Sequence, residues 1–172
     1  MVLAGGYAQA EETCATLCSA DFYVTAGVED IQQAIDMGVD VNARDEVGKS
    51  ALHWVAGANP GVITALITAG GDVNAKDKWD RMPLHFVAAT GTVENIKLLL
   101  DAGAEVNAPT ANDWTPLHGA AKFGRAENVV VLLEAGADAT ARTEMGESAL
   151  DFGIANPQLA ESEALKLLET EQ

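Results

Sequence analysis

Hydrophobic positions in the middle of the chain predict two short helices joined by a turn. Within residues 110–136, Leu117, Ala120 and Ala121 form one small apolar face, and a second face rich in valine and leucine begins at Val129. Spacings of three and four residues place such side chains on one side of an α-helix. The resulting hairpin has one apolar side and too little core to fold alone.

Capping residues mark the limits of these two helices. Thr115 can cap the first helix with its hydroxyl, and Pro116 suits the first helical position because it has no N–H group to leave unpaired. Gly124 separates the helices, and Gly136 can adopt the left-handed conformation that ends many helices. The segment therefore predicts a helix-turn-helix unit.

The same unit recurs along the chain every 32 or 33 residues. The recurring residues are Leu52-His53, Leu84-His85 and Leu117-His118; Gly70, Gly103 and Gly136; and Asn42, Asn74 and Asn107. Self-similarity at this period indicates a solenoid, in which each unit buries its apolar side against the next.

These units resemble the ankyrin repeat family. The matching motifs are Thr115-Pro116-Leu117-His118 with Ala120-Ala121, Pro83-Leu84-His85 with Ala88-Ala89, and the endings 69–75, 102–108 and 135–138. The resemblance covers residues 21–169 and implies an all-α solenoid of stacked helix-turn-helix units with short β-hairpin-like turns. We expect about five repeats including divergent terminal caps: 21–42 as the N-terminal cap, then 43–75, 76–108 and 109–141, and 142–172 as the C-terminal cap.

Two details of the repeats lead to local predictions. Asp80 and Asp113 stand where other repeats have glycine, and aspartate tolerates the left-handed conformation that a glycine would use there. The turn 58–61 is one residue short and contains Pro60, so we expect its shape to differ from that of the other turns.

The acidity of the chain limits the classes of partner. Ten basic and 26 acidic residues give a formal net charge of −16, with no basic stripe for nucleic-acid phosphates or anionic lipids. The acidity either keeps the protein in solution or attracts a basic partner protein. No run of 18 apolar residues is present, so we expect no membrane insertion, and we expect a monomer.

The N-terminal residues differ in composition from the repeats. Ala8-Gln9-Ala10 has the small-x-small form of a signal-peptidase site, so residues 1–10 are interpreted as the remnant of a signal peptide. The basic region and most of the apolar region of such a peptide are missing, and a plain apolar N-terminus is the alternative. The first interpretation predicts a bacterial periplasmic or secreted protein, and the second a cytoplasmic one.

Cys14 and Cys18 are the only cysteines and lie in the N-terminal segment 11–20. A spacing of four places both on one helix face, within reach of a disulfide after modest adjustment. A structural disulfide, two reduced and partly buried thiols, and a redox-active or metal-binding pair all remain open. No basic neighbour lowers a thiol pKa here, and no nearby histidine completes a metal set.

Catalytic chemistry has no residue set to support it. His53, His85 and His118 share one repeat position, and equivalent residues of stacked helices lie roughly 10 Å apart, too far to share a metal ion. The resemblance implies that each imidazole joins the start of its helix to the adjoining hairpin. We expect no catalytic residues, no metal and no cofactor.

The candidate functional residues lie on the surface. In the family, hairpin tips and first helices line a concave surface that contacts partners, and tryptophan and arginine are frequent at binding hot spots. The candidate partner-binding residues are Val47, Lys49, Lys78, Trp79, Arg81, Asn112, Trp114, Phe123 and Met145. The alternative for Trp79 and Trp114 is local packing over their own hairpins. Trp54 and Phe86 are predicted to lie in the core.

Two functions are therefore expected from the sequence. The first is a non-catalytic protein–protein interaction module that binds a protein partner through the concave surface of the hairpins and first helices. The alternative is a thiol-redox or stress-protection factor that uses Cys14 and Cys18.

Overall fold

The computed structural model describes residues 17–170, which form ten short helices in two layers. The helices are α1 (Ala20–Thr25), α2 (Val28–Asp36), a 3₁₀ helix (Ala51–Gly57), α3 (Pro60–Thr68), α4 (Pro83–Thr90), α5 (Val93–Asp101), α6 (Pro116–Phe123), α7 (Ala126–Glu134), α8 (Ala149–Ala155) and α9 (Glu163–Thr170). The interpreted signal-peptide remnant and Cys14 lie outside the described residues.

The helices confirm the predicted all-α solenoid. The first helices of successive repeats pack on one another as an inner layer, and the second helices α2, α3, α5, α7 and α9 form an outer layer. Leucines and isoleucines of both layers are fully buried between them, such as Leu84, Leu117, Ile96 and Leu132. Across residues 17–170 the structure has no β-strand and no helix long and apolar enough to cross a membrane.

The inner helix of the second repeat differs from its equivalents because it is a 3₁₀ helix. The turn that follows it is one residue short, and Pro60 starts the next helix. A 3₁₀ helix rises about 2.0 Å per residue against about 1.5 Å for an α-helix, so it spans the same length with fewer residues. The tighter winding therefore accommodates the shorter sequence.

The recurring asparagines join the outer ends of successive repeats. Each side-chain amide donates to the carbonyl of the next repeat's helix-ending glycine, and its oxygen accepts a backbone N–H two residues after that glycine. For Asn74, the distances are 3.0 Å to the Gly103 carbonyl and 3.0 Å to the Glu105 N–H. Asn42 and Asn107 make the same pair of bonds.

A second series of asparagines, which the sequence analysis did not identify, joins the helix turns. Asn128 is buried at the start of α7, and its amide donates to the carbonyls of Ala88 and Gly91 in the preceding repeat. Asn95 and Asn156 make equivalent bonds. Buried carbonyls at the helix ends are thus satisfied from the next repeat.

Each hairpin tip has a residue in the left-handed conformation, as predicted for Asp80 and Asp113. Asp80 and Asp113 have φ angles of 58° and 59°, in the left-handed region that Gly48 and Gly146 also occupy. Neighbouring tips are joined by backbone hydrogen bonds of 3.0, 3.0 and 3.1 Å from residues 78, 111 and 144 to the preceding tip. The tips therefore form a continuous row along one edge of the solenoid.

Candidate functional site

The three histidines fix each inner helix to the next hairpin, as the resemblance implied. In each ring Nδ1 accepts a backbone N–H, from Ser50, Met82 or Thr115, at 3.0 Å. Because Nδ1 accepts, the proton lies on Nε2, which donates to a carbonyl in the next hairpin or directly before it. These distances are 3.1 Å from His53 to Arg81 and 3.1 Å from His118 to Ala141.

His85 makes the same contact with two carbonyls. Its Nε2 lies 3.0 Å from the Ala108 oxygen and 3.2 Å from the Trp114 oxygen. Burial lowers the pKa of all three rings below the ordinary value, against the opposing effect of these backbone hydrogen bonds. The Thr115 hydroxyl lies 2.9 Å from Nδ1 of His118, rather than on a helix N–H as we expected.

The position after each Leu-His pair forms a row along the inner layer. Trp54 and Phe86 hold it in the 43–75 and 76–108 repeats, and Phe152 follows the Leu-Asp pair of the last repeat. In the 109–141 repeat the same position is Gly119. The row therefore lacks one aromatic side chain.

A pocket of about 440 Å³ lies beside this glycine. Its aromatic lining comes from Trp79, Phe86, Trp114 and Phe123, with Arg81, Asn112 and Gly119 among the other lining residues. A Cβ atom added to Gly119 would meet only ordinary contacts, 3.5 Å from the His85 oxygen and 3.7 Å from the Ala89 Cβ. The glycine is thus not required by close packing, and its missing side chain leaves space in the pocket.

Trp114 packs against the next repeat and not over its own hairpin. Its ring lies 4.7 Å from that of Phe152, centroid to centroid, and it is half-buried. Trp79, in contrast, is 48% exposed and Phe123 is 59% exposed. Phe86 was predicted to lie in the core, but it is half-buried and lines the pocket, whereas Trp54 packs partly buried against the core.

Cations lie over the aromatic rings of the concave surface between the hairpin tips and the inner helices, which we call the groove. The Lys49 Nζ atom is 4.0 Å from the ring centre of Trp54 and 4.4 Å from that of Phe86. The Arg81 guanidinium lies 4.9 Å from the Phe86 ring and 4.5 Å from that of Trp79. Such contacts stabilise both partners. Burial and the Arg81 charge lower the pKa of Lys49.

A third cation, missed by the sequence analysis, lies on the other side of the pocket. Lys122 Nζ is 5.0 Å from the ring centre of Trp114 and 4.7 Å from that of Phe152. It occupies the last turn of α6, next to Phe123. Aligning the repeats on their Leu-His pairs would have shown both Lys122 and the gap at Gly119.

The Asp77 carboxylate fixes the position of the Arg81 side chain. Its buried carboxylate accepts from the Arg81 side chain at 2.8 and 2.7 Å, and from the backbone N–H groups of Trp79 and Arg81 at 2.9 and 3.0 Å. Burial alone would raise the Asp77 pKa, but these hydrogen bonds outweigh it and hold the pKa below its usual value. The guanidinium is therefore fixed between the rings of Trp79 and Phe86.

The structure brings some of the candidate partner-binding residues together and leaves others apart. Trp79, Arg81, Asn112, Trp114 and Phe123 line the pocket. The remaining four candidates do not line it: Val47, Lys49, Lys78 and Met145. Lys49 adjoins it through the Phe86 ring, the exposed Lys78 and the half-buried Val47 are joined by a tip hydrogen bond, and Met145 is 84% exposed.

The cysteine pair is only half described. Cys18 is half-buried, with Sγ 3.6 Å from the Lys49 carbonyl oxygen, and Cys14 lies outside the described residues. The disulfide therefore stays a prediction. Within residues 17–170 no group of three or more His, Cys, Asp or Glu side chains is placed to hold a metal ion.

The buried histidines predict that the protein loses stability in mild acid. The unfolded chain, with histidine pKa values of about 6.5, takes up protons that the folded chain does not. The free energy of unfolding should be highest above about pH 6.5 and fall below it, by up to about 1.4 kcal/mol per pH unit for each ring. Urea titrations between about pH 7.5 and 5.5 measure this slope, and His53→Asn should reduce it by about a third. A free energy independent of pH in this range would contradict the assignment.

The ion pair between Asp77 and Arg81 predicts that substituting Asp77 lowers the free energy of unfolding more than substituting its neighbour Asp80. Asp77→Asn weakens several charge-assisted hydrogen bonds and should lower the free energy of unfolding by about 1–3 kcal/mol. Asp80→Asn is the matched control, because Asp80 makes only an exposed pair with Lys76 at 3.6 Å, and should cost less than about 0.5 kcal/mol. Equal losses in urea titrations would show that Asp77 does not hold the hairpin.

Comparison with known proteins agrees with this architecture. The family model described as ankyrin repeats (3 copies) matches residues 55–143, slightly more than half of the chain. A search of curated proteins gives no match. The recurring motifs, the two helical layers and the matched residues together show that the chain belongs to the ankyrin repeat family.

Proposed function

We propose that this protein is a non-catalytic interaction module that binds a protein partner through the groove formed by its hairpin tips and inner helices. Ankyrin repeats generally mediate protein–protein interaction. The observation that supports this surface is the pocket, where Trp79 and Phe123 leave about half of their side chains exposed beside half-buried Phe86 and Trp114. Large aromatic groups contribute most of the binding energy at interfaces when a partner covers them.

The groove is held in one shape before any partner arrives. The tips are hydrogen-bonded to one another, His53 holds the Arg81 carbonyl, and Asp77 holds the Arg81 side chain. A surface that is already ordered loses little conformational freedom on binding, which favours affinity. This supports recognition by a fixed surface and not by a loop that folds on contact.

Acidic residues lie on the outer helices and on the hairpin tips, where the exposed Asp80 and Asp113 are next in sequence to Trp79 and Trp114. The outer helices α2, α5, α7 and α9 each carry at least two acidic residues, whereas the 3₁₀ helix, α4 and α6 carry none. A basic partner, one of the two interpretations of the net charge, would meet carboxylates on the outer helices and on the tips. The monomeric state and the periplasmic or secreted location stay predictions from the sequence.

The thiol-redox alternative gains no supporting observation from the described residues. Cys18 Sγ lies 3.6 Å from the Lys49 carbonyl oxygen and 3.9 Å from that of Ala43, and Cys14 lies outside the described residues. The redox function therefore stays a prediction from the sequence.

A position-specific crosslinking experiment tests the proposal. A photoreactive phenylalanine analogue at position 79 should capture a partner from cell extract, because this side chain lies at the mouth of the pocket. Excess unlabelled wild-type protein should compete for the capture, whereas the Trp79→Ala, Phe123→Ala double variant should compete at least about tenfold less well. Both side chains are about half exposed and lie outside the core, so the variant should keep its helical signal and melting temperature.

The control replaces another exposed hydrophobic residue. Met37, at the end of α2, is 70% exposed and does not line the pocket. Met37→Ala should compete as well as the wild type, and the photoreactive group at position 37 should capture nothing that wild type competes away. Undiminished competition by the Trp79, Phe123 variant would rule out the groove as the binding surface.

A further inference from the structure

The pocket has a structural origin that points to the shape of its occupant. Trp54, Phe86 and Phe152 continue the inner-layer row on either side of Gly119. Only at Gly119 is the ring absent, and there the pocket opens. Its walls are the faces and edges of four aromatic side chains, which pack best with another aromatic ring in stacked or edge-on contact. A ring supplied from outside would complete the row.

The charged groups at the pocket rim point to the chemistry of the occupant. Among residues 17–170, neither Lys49 nor Lys122 has a carboxylate oxygen within 4.0 Å, although the chain has 26 acidic residues. Arg81 uses Nε and Nη2 for Asp77 and makes no hydrogen bond through Nη1 to any described residue. Cations therefore stand on both sides of the pocket, over aromatic rings, with donors available to an incoming acceptor.

The negative net charge does not cancel this local pattern. The 3₁₀ helix, α4 and α6 carry no acidic residue, and the acids of the outer helices lie one helix layer away. The neighbouring tips contribute Asp77, which is paired with Arg81, and the exposed Asp80 and Asp113. Packed helices are about 8–10 Å apart, and exposed charges are screened over about 8 Å at physiological ionic strength. Within residues 17–170 neither Lys49 nor Lys122 is in an ion pair, so these two cations can attract a carboxylate at the rim.

We propose that the partner presents an aromatic side chain, which enters the gap at Gly119, next to one or more carboxylates, which contact the rim cations Arg81 and Lys122. The occupant is an acidic, aromatic segment of a protein. This inference rests on the proposed function, since it names the partner chemistry for the same groove. It differs from the basic partner that is one of the two interpretations of the net charge.

The test uses peptides displayed on phage as a random 12-residue library, selected against the full chain. Peptides in which Trp, Phe or Tyr lies within three positions of Asp or Glu should be enriched. Their affinity is then measured by fluorescence anisotropy for five variants of the chain, which are two pocket variants, their two controls and the Trp79→Ala, Phe123→Ala double variant. Folding of each variant is checked by circular dichroism and thermal melting.

One variant fills the pocket with a side chain, another removes a positive charge from its rim, and each has a matched control. Gly119→Phe places a ring in the gap and should weaken binding at least about tenfold, whereas Gly119→Ala should change it less than about threefold and stabilise α6. Lys122→Gln should also weaken binding, by about fivefold or more, whereas Lys97→Gln, with the same change of charge on the exposed face of α5, should change it less than about twofold.

The outcomes separate this inference from the proposed function. Acidic aromatic peptides that respond to Gly119→Phe and Lys122→Gln support it. Basic or non-aromatic peptides that are lost with Trp79→Ala, Phe123→Ala would overturn the inference and leave the interaction module intact. Peptides that are indifferent to Trp79 and Phe123 would overturn both. If Gly119→Phe failed to fold, the Lys122→Gln comparison would still decide the charge requirement.

Discussion

The groove depends on the hydrogen bonds that each buried histidine makes at both ring nitrogens. Nδ1 satisfies a backbone N–H at the start of an inner helix, and Nε2 holds a carbonyl of the next hairpin. Through His53 and His85 these carbonyls belong to Arg81 and Trp114, which form two walls of the pocket. Together with the hydrogen bonds between neighbouring tips, this connection holds each inner helix against the next hairpin and gives the pocket its shape. The histidine hydrogen bonds that join the repeats therefore also position the walls of the pocket.

The sequence predicted the fold well because its signals are repeated. Leu-His pairs, glycines and asparagines in phase, such as Gly103 and Asn107, define the period, and Asp80 and Asp113 were correctly placed in left-handed turns. The buried asparagines of the outer helices were missed, since a lone asparagine in an amphipathic pattern does not show that a carbonyl about 40 positions away needs a donor.

The sequence predicted most of the aromatic residues of the site but not the pocket between them. Trp79 and Trp114 were identified because aromatic residues stand out on turns, but Trp114 is half-buried by stacking on Phe152 from the next repeat. The pocket itself comes from a missing side chain at Gly119, which only a comparison between repeats reveals. Net charge describes the groove poorly, because −16 is a sum over the chain, whereas Lys49, Arg81 and Lys122 lie over the aromatic rings there. Local charge, and not the total, decides what a groove attracts.

The most direct test of the groove as the binding surface is a nuclear magnetic resonance titration of the full chain with the partner segment captured at position 79. The chain has three tryptophans, so its indole N–H signals are few and assignable by substitution. The account predicts that the Trp79 and Trp114 indole signals shift on binding, while backbone amides of the outer helices α5 and α7 do not. Shifts confined to those outer helices, with both indole signals unchanged, would contradict it.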